Sequence, residues 1–255
     1  MSSSPTTVLI TGANSGIGFA TAQVLVSASQ TYHVILASRS LEKAQSGVEQ
    51  IRSAGDVRGQ LSAIQLDVTD PVSISAAAEK IATEFGSLDV LINNAGVAEP
   101  DPAAGYSQTV IQNILMTNVA GPTLVAQAFN NLLLKSEKNP YSLFISSGLG
   151  SLAMAADPAN RVYPVAYDVY RMSKAALDML VVQQSKHLKD KGVKVFAVCP
   201  GLVRSHLRGK TETDISASGA AGDPKVSGQT IRDIIEGRRD ADVGKFVHKD
   251  GVYPW

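Results

Sequence analysis

Cysteine occurs once in this chain of 255 residues, at Cys199, and tryptophan once, at Trp255. A single thiol excludes an intrachain disulfide and a thiolate metal cluster. Its place after the apolar stretch Val193 to Val198 suits a buried structural thiol better than a nucleophile. Four histidines, His33, His187, His206 and His248, are scattered without metal-ligand spacing, so metal catalysis has no support. Neither sign of charge is in excess, because Lys plus Arg and Asp plus Glu both number 23. That balance offers no basic footprint for nucleic acid and no polybasic membrane anchor. No apolar run approaches the roughly 18 residues of a membrane span, and no basic-then-apolar secretory signal opens the chain. A cytoplasmic protein with small-molecule partners is expected.

What is present is enough apolar material for one sizeable core, at 44% hydrophobic residues. There is no linker, repeat or long charge run, so residues 1–255 read as one domain whose short Ser/Thr-rich start, 1–6, is frayed. Strands are predicted near Thr7 to Ile10, His33 to Ala37, Leu61 to Leu66, Val90 to Asn93, Leu143 to Ser146, Val193 to Val198 and Lys245 to His248. Helical periods lie between them, as in Ile74, Ala78, Ile81 and Phe85. This alternation predicts an α/β fold: a single Rossmann-like, doubly wound parallel sheet of about seven strands with helices on both faces. Ligands of such sheets bind beyond the carboxyl ends of the strands, where the strand order reverses.

The first predicted strand runs into Thr11-Gly12-Ala13-Asn14-Ser15-Gly16-Ile17-Gly18 and then an Ala-rich helix. Glycines there let the backbone turn sharply and approach a pyrophosphate, and the helix N-terminus favours the anion. The spacing is G-x-x-x-G-x-G, so the general dinucleotide fingerprint is not matched literally. Tyr170-Arg171-Met172-Ser173-Lys174 puts a phenol and an ammonium four apart on one helix face, where the cation can favour the phenolate. Alone, that pair is the ordinary pattern of a partly solvated helix surface. Asn93-Asn94-Ala95-Gly96, Asn118 in a helix from Thr109 to Leu134, Ser146-Ser147, and Pro200-Gly201-Leu202-Val203-Arg204-Ser205 complete the set.

Six motifs in this order, spread over nearly the whole chain, resemble the short-chain dehydrogenase/reductase family, of the carbonyl-reductase-like type. The resemblance implies hydride transfer with Tyr170 as general acid or base, Ser147 bonding the substrate oxygen, and Lys174 holding the nicotinamide ribose and depressing the tyrosine pKa. Ser147 is preferred to Ser146 because Gly150 follows it by three, as in the family. Asn118 would hold, at a backbone break, a water that links Lys174 to solvent. The resemblance gives the cofactor to Gly12, Asn14, Ser15, Gly16, Ile17 and Gly18, the adenine to Asp67 and Val68, and the adenosine ribose to Asn94, Ala95 and Gly96. It gives the nicotinamide amide to Pro200, Gly201, Val203 and Ser205, the last in place of the usual threonine. Asp67 alternatively caps the helix starting near Pro71.

About twenty residues past the glycine loop, where an NAD site carries an acid, the chain has Ser38 and Arg39. A guanidinium with no carboxylate beside it favours a 2′-phosphate, hence NADP(H). Two segments depart from the family. Ser147 and Tyr170 are 23 residues apart, longer than usual, so 153–167 is expected to be a loop-like insert walling the substrate pocket. The stretch 206–228, poor in large apolar residues, is expected to be a mobile lid. The family suggests a homo-oligomer, dimer or tetramer; a similar insert in monomeric members weakens that. Reduction of a ketone or aldehyde by NADPH leads. An NADP-dependent alcohol or polyol dehydrogenase and a catalytically silent NADP(H) sensor stay open.

Overall fold

The computed structural model describes residues 4–100, 102 and 105–255. Strands β1 (Thr6–Thr11), β2 (Tyr32–Ser38), β3 (Gln60–Gln65), β4 (Val90–Asn93), β5 (Tyr141–Ile145), β6 (Lys194–Val198), β7 (Phe246–His248) and β8 (Gly251–Tyr253) form one sheet. Its order is β3-β2-β1-β4-β5-β6-β7-β8. The first seven pair in parallel, and β8 closes the edge antiparallel to β7 through the turn at Lys249-Asp250. The eighth strand lies beyond the seven expected, because a three-residue strand in a two-residue hairpin leaves almost no alternation to detect.

Helices α1 (Gly16–Ala28), α2 (Leu41–Ser53) and α9 (Lys225–Ile235) cover one face. The other face carries α3 (Pro71–Phe85), α4 (Gln108–Leu115), α5 (Gly121–Leu134) and α7 (Asp168–Leu188), while α6 (Leu152–Ala156) and α8 (Glu212–Ser216) are short. Strand alternation feeds two cores: Val8 and Ile10 pack with Leu25 and Ile231, whereas Leu9 packs with Phe129, Leu177 and Val181. Helix starts follow local chemistry, with Ser40 accepting from the Lys43 amide and Asp70 from the Val72 amide just before Pro71. Asp70, not Asp67, is therefore the cap of α3. No helix among the described residues is long and apolar enough to cross a membrane.

Three expectations change. Thr6 is already in β1, and Lys138 Nζ donates to the carbonyls of Ser4 and Pro5, so the ordered chain starts before residue 7; residues 1–3 lie outside those described. The insert 153–167 is helical to Ala156 and turn-like beyond it, because Ser151 caps α6 by accepting from the Met154 amide. The lid segment 206–228 holds α8, whose Thr211 and Asp214 form a reciprocal capping box, and the first turn of α9. Gly228 packs so closely on α1 that a Cβ there would lie 3.1 Å from Thr21 Cα. Arg208 holds the segment together by donating to the carbonyls of Val203, Asp214 and Ile215 at 2.8 to 3.0 Å.

Candidate active site

The strand order reverses between β1 and β4, and their carboxyl ends are tied together. Thr11 Oγ1 accepts from the amides of Asn94 (2.9 Å) and Ala95 (3.0 Å), and Asn94 Nδ2 donates to the carbonyls of Thr11 and Gly12. Gly12 has φ +63°, and a Cβ there would sit 2.9 Å from Ala95 Cα. A Cβ on Gly18 would sit 2.6 Å from Asn94 Nδ2. The Asn94-Ala95-Gly96 segment is thus the support against which the glycine turn is pressed. Ser15, at the N-cap of α1, makes no side-chain capping bond, and no acidic residue lies in the first turn. The amides that open α1 therefore face outward, a cradle of the kind that suits a pyrophosphate. Ser205 Cβ lies 3.5 Å from the Cβ position of Gly16, which brings the Pro200 to Ser205 segment over the same turn.

Around this cradle, Arg39 is exposed just past β2 and its guanidinium has no acidic partner among the described residues. Asp67 Oδ1 accepts from the Thr69 amide and hydroxyl, and Val68 is buried against Gly121. Asn14 and Ile17 are half-buried in the loop, Ile17 against the α1-side core. Past β6, the Pro200 carbonyl accepts from Ser227 Oγ, Gly201 has φ +79°, and Val203 bridges to Gly222.

The chemistry-bearing side chains converge where β5 ends. Ser147 Oγ accepts from the Leu149 amide, capping a single turn through Gly150. A Cβ on Gly150 would lie 2.8 Å from Lys174 Cβ, so this glycine lets α7 approach the serine. Tyr170 is 6% exposed, and Lys174 Nζ stands 5.6 Å from its ring centroid while donating to the Ile145 carbonyl at 2.7 Å. Asn118 is fully buried in a π-turn, Met116–Ala120, between α4 and α5. Its Oδ1 accepts from the Val97 amide, and its Nδ2 donates to the Val97 carbonyl and to Ser173 Oγ. The asparagine side chain is thus spent on binding the chain after Gly96 to α7. Ser173, inside the YRMSK motif, was passed over in the sequence and turns out to be the α7 end of that bridge.

Burial dominates the ionisation of the site. The Tyr170 phenol is pushed well above its ordinary value by loss of solvent, with the Ser147 hydroxyl opposing. The expectation of a depressed Tyr170 is corrected: burial outweighs the charges around the phenol, and it lowers Lys174 itself to about 8. Asp178, unnoticed in the sequence although it repeats the four-residue spacing of Tyr170 and Lys174, opposes that fall. Burial raises Asp178 to about 7. Cys199 is buried and accepts from the Gly148 amide, and its thiol is pushed up by desolvation, as a structural thiol should be.

The insert and the tail meet beside this spot. Tyr167, held at φ +88°, sets its ring edge-on to Tyr170 at 6.4 Å. Ser151 Oγ donates to the Pro254 carbonyl, the Ala153 amide to that of Trp255, and Tyr253 reaches within 3.5 Å of the Cβ position of Gly148. Trp255 stacks on Phe246 and Tyr253 on His248. The aromatic tail therefore packs on the turn that carries Ser147.

Residues 6–216 match the family model described as short chain dehydrogenase. A short-chain dehydrogenase/reductase of Talaromyces stipitatus, tropE, is 34% identical over 263 residues, covering 96% of this chain and 95% of its own. The short-chain dehydrogenase anuI of Penicillium roqueforti is 36% identical over 249 residues, covering 96% and 94%. Among solved structures, NADPH-bound carbonyl reductase from chicken fatty liver superposes with a TM-score of 0.82 at 27% identity, covering 99% of this chain and all of the other. The chain belongs to the short-chain dehydrogenase/reductase family and is an oxidoreductase of that family.

Proposed function

We propose that this protein reduces a ketone or aldehyde to an alcohol with NADPH, Tyr170 acting as general acid. The observation that carries the reading is the meeting of Ser147, Tyr170 and Lys174 at one buried place beside the glycine cradle. The nicotinamide dinucleotide, when bound, supplies the hydride. Its pyrophosphate fits the Gly12 to Gly18 turn and the open start of α1, with Asn14, Ser15, Gly16 and Ile17. Arg39 is the group for a 2′-phosphate, Asp67 and Val68 for the adenine, and Asn94, Ala95 and Gly96 for the adjoining ribose. Pro200, Gly201, Val203 and Ser205 serve the carboxamide, and Lys174 the second ribose.

Burial keeps the Tyr170 phenol protonated through the neutral range, so it has a proton to give when a carbonyl is reduced. Ser147 Oγ holds the carbonyl oxygen against that phenol. The Lys174 ammonium, facing the ring, favours the phenolate that proton donation leaves. Asn118 fixes the backbone of Val97 to Ser173 and so holds the cofactor loop in register with α7. An NADPH-bound carbonyl reductase among the related structures supports both the cofactor and the direction. The same reading expects a cytoplasmic homo-oligomer, which sedimentation of the purified protein checks. The deciding test is the loss of NADPH absorbance with a panel of ketones, aldehydes and diketones, against NADH as control. Turnover restricted to NADPH supports the reading, and comparable turnover with NADH removes the cofactor assignment.

A further inference from the structure

On the face of the sheet that carries α7, polar residues replace apolar ones at the carboxyl ends of β4 and β5. Asn93 follows Leu91 by two, and Ser146 follows Phe144 by two; Leu91 and Phe144 belong to the core on that face. From the helix side, α7 contributes Asp178, one turn beyond Lys174 and next to the core residue Leu177. Asn93, Ser146 and Asp178 are 4%, 2% and 5% exposed. Among the described residues, Asn93 Oδ1, Ser146 Oγ and both carboxylate oxygens of Asp178 have no well-formed hydrogen bond, although the Ser146 hydroxyl stands close enough to Asp178 to favour its ionised form. A buried carboxylate without donors is costly, and proteins that keep one have a compensating charge nearby or a use for the group.

The nearby charge is Lys174, itself only 4% exposed, whose ammonium has among the described residues a single hydrogen bond, to the neutral Ile145 carbonyl. Tyr170, Lys174 and Asp178 succeed one another at four-residue steps along one side of α7. We propose that Asp178 is a positioning residue that keeps Lys174 charged inside the protein, acting as its buried counter-charge with the Ser146 hydroxyl at its side. The titratable groups that share this space are Tyr170 and Lys174 from α7 and Cys199 from beyond β6. Asp178 acts on all three in one direction: it raises the proton affinity of Lys174, Tyr170 and Cys199. It thereby keeps the ammonium charged against burial and the phenol protonated until it is needed. The Ser146 hydroxyl and Lys174 in turn favour the ionised form of Asp178. This gives Ser146 a part distinct from that of Ser147, on the opposite side of the extended chain.

The consequence for turnover rests on the proposed role of Lys174, but the charge relation between the two side chains does not, so the two are read separately. Protein labelled with carbon-13 at lysine Cε is titrated by NMR, with the Lys174 signal assigned as the one lost in Lys174→Arg. Asp178→Asn is expected to lower the Lys174 midpoint by about one pH unit or more, tenfold in proton affinity, and Asp178→Glu to restore most of it. Asp178→Ser gives a second neutral variant should Asp178→Asn not fold. An unchanged Lys174 midpoint in a folded neutral variant overturns the proposal. The alkaline limb of kcat/KM for NADPH oxidation is followed in parallel and is expected to move to lower pH by the same interval. If the midpoint moves while the limb stays, the counter-charge stands and it is the part given to Lys174 in turnover that fails.

Discussion

At the scale of single residues, the proposed chemistry turns on the phenol of Tyr170. It is buried and kept protonated, so its removal should be felt in the chemical step and hardly in cofactor binding. Tyr170→Phe is expected to lower kcat by about 10²- to 10⁴-fold, the usual range for a lost general acid, with the NADPH Kd nearly unchanged by fluorescence titration. Turnover at the wild-type rate would remove Tyr170 from the mechanism. Arg39 tests cofactor choice in the same spirit. Its guanidinium is exposed and makes no ion pair among the described residues, so Arg39→Ala should leave the fold alone and weaken NADPH binding about tenfold, the scale of a hydrogen bond to a charged group. NADH binding should stay as it was, and equal losses for both cofactors would end the argument for a 2′-phosphate site. These residues were legible in sequence because each belongs to a local string whose spacing carries its chemistry. Asp178 was not, since a lone acid on an amphipathic helix looks like a solvated face until its burial is seen.

At the scale of elements, the site is a set of close approaches that small residues permit. Gly150 is the tightest of them at the catalytic end, because a side chain there would overlap Lys174 at the point where α7 passes the Ser147 turn. Gly150→Ala should push α7 outward and misplace Tyr170 and Lys174 together. A displacement near 1 Å is worth about 10²-fold in rate, so kcat should fall on that scale while the glycine cradle, on other elements, keeps its affinity for NADPH. Full activity in Gly150→Ala would mean that the turn yields without moving the helix. The helix carrying Asn118 shows what sequence could and could not give. Its apolar period from Thr109 to Leu134 predicted one long helix, and α4, the π-turn and α5 do run on as one. The π-turn itself is one extra residue in a hydrogen-bonded turn, too small a change to disturb a 3.6-residue period. The predicted strands fall within a few residues of the observed ones because each is an apolar run between turn signals. The helical order inside 206–228 was not legible because it comes from caps and from Arg208 reaching across to distant carbonyls, neither of which is an apolar pattern.

At the scale of the whole molecule, the buried Lys174 and Asp178 make stability depend on pH in a definite sense. Asp178 holds its proton to about 7 in the folded protein, against 3.8 for the free side chain, so the folded state binds that proton more tightly than the unfolded one. Its contribution is fully present below pH 3.8 and is lost as pH rises towards 7, where a buried charge must be carried. Lys174 shifts from 10.5 to about 8, so the cost of burying its ammonium is fully present below 8 and is relieved as pH rises from there to 10.5. The two limbs leave a trough of stability between about 7 and 8, which is where the site must hold both charges. Asp178→Asn removes the first limb and, with the counter-charge gone, starts the Lys174 limb at lower pH. Relative to wild type, the variant should therefore gain stability steadily between pH 4 and pH 7, by roughly 4 kcal/mol over a shift of some three pH units. Thermal unfolding of both proteins across that range measures it directly, with the difference in Tm growing toward neutrality and flat below pH 4. A difference that does not change between pH 4 and 7 would mean that Asp178 titrates like an exposed carboxylate. The interior face of α7 would then carry no stored charge, and the acid-side limb of the expected trough would be absent.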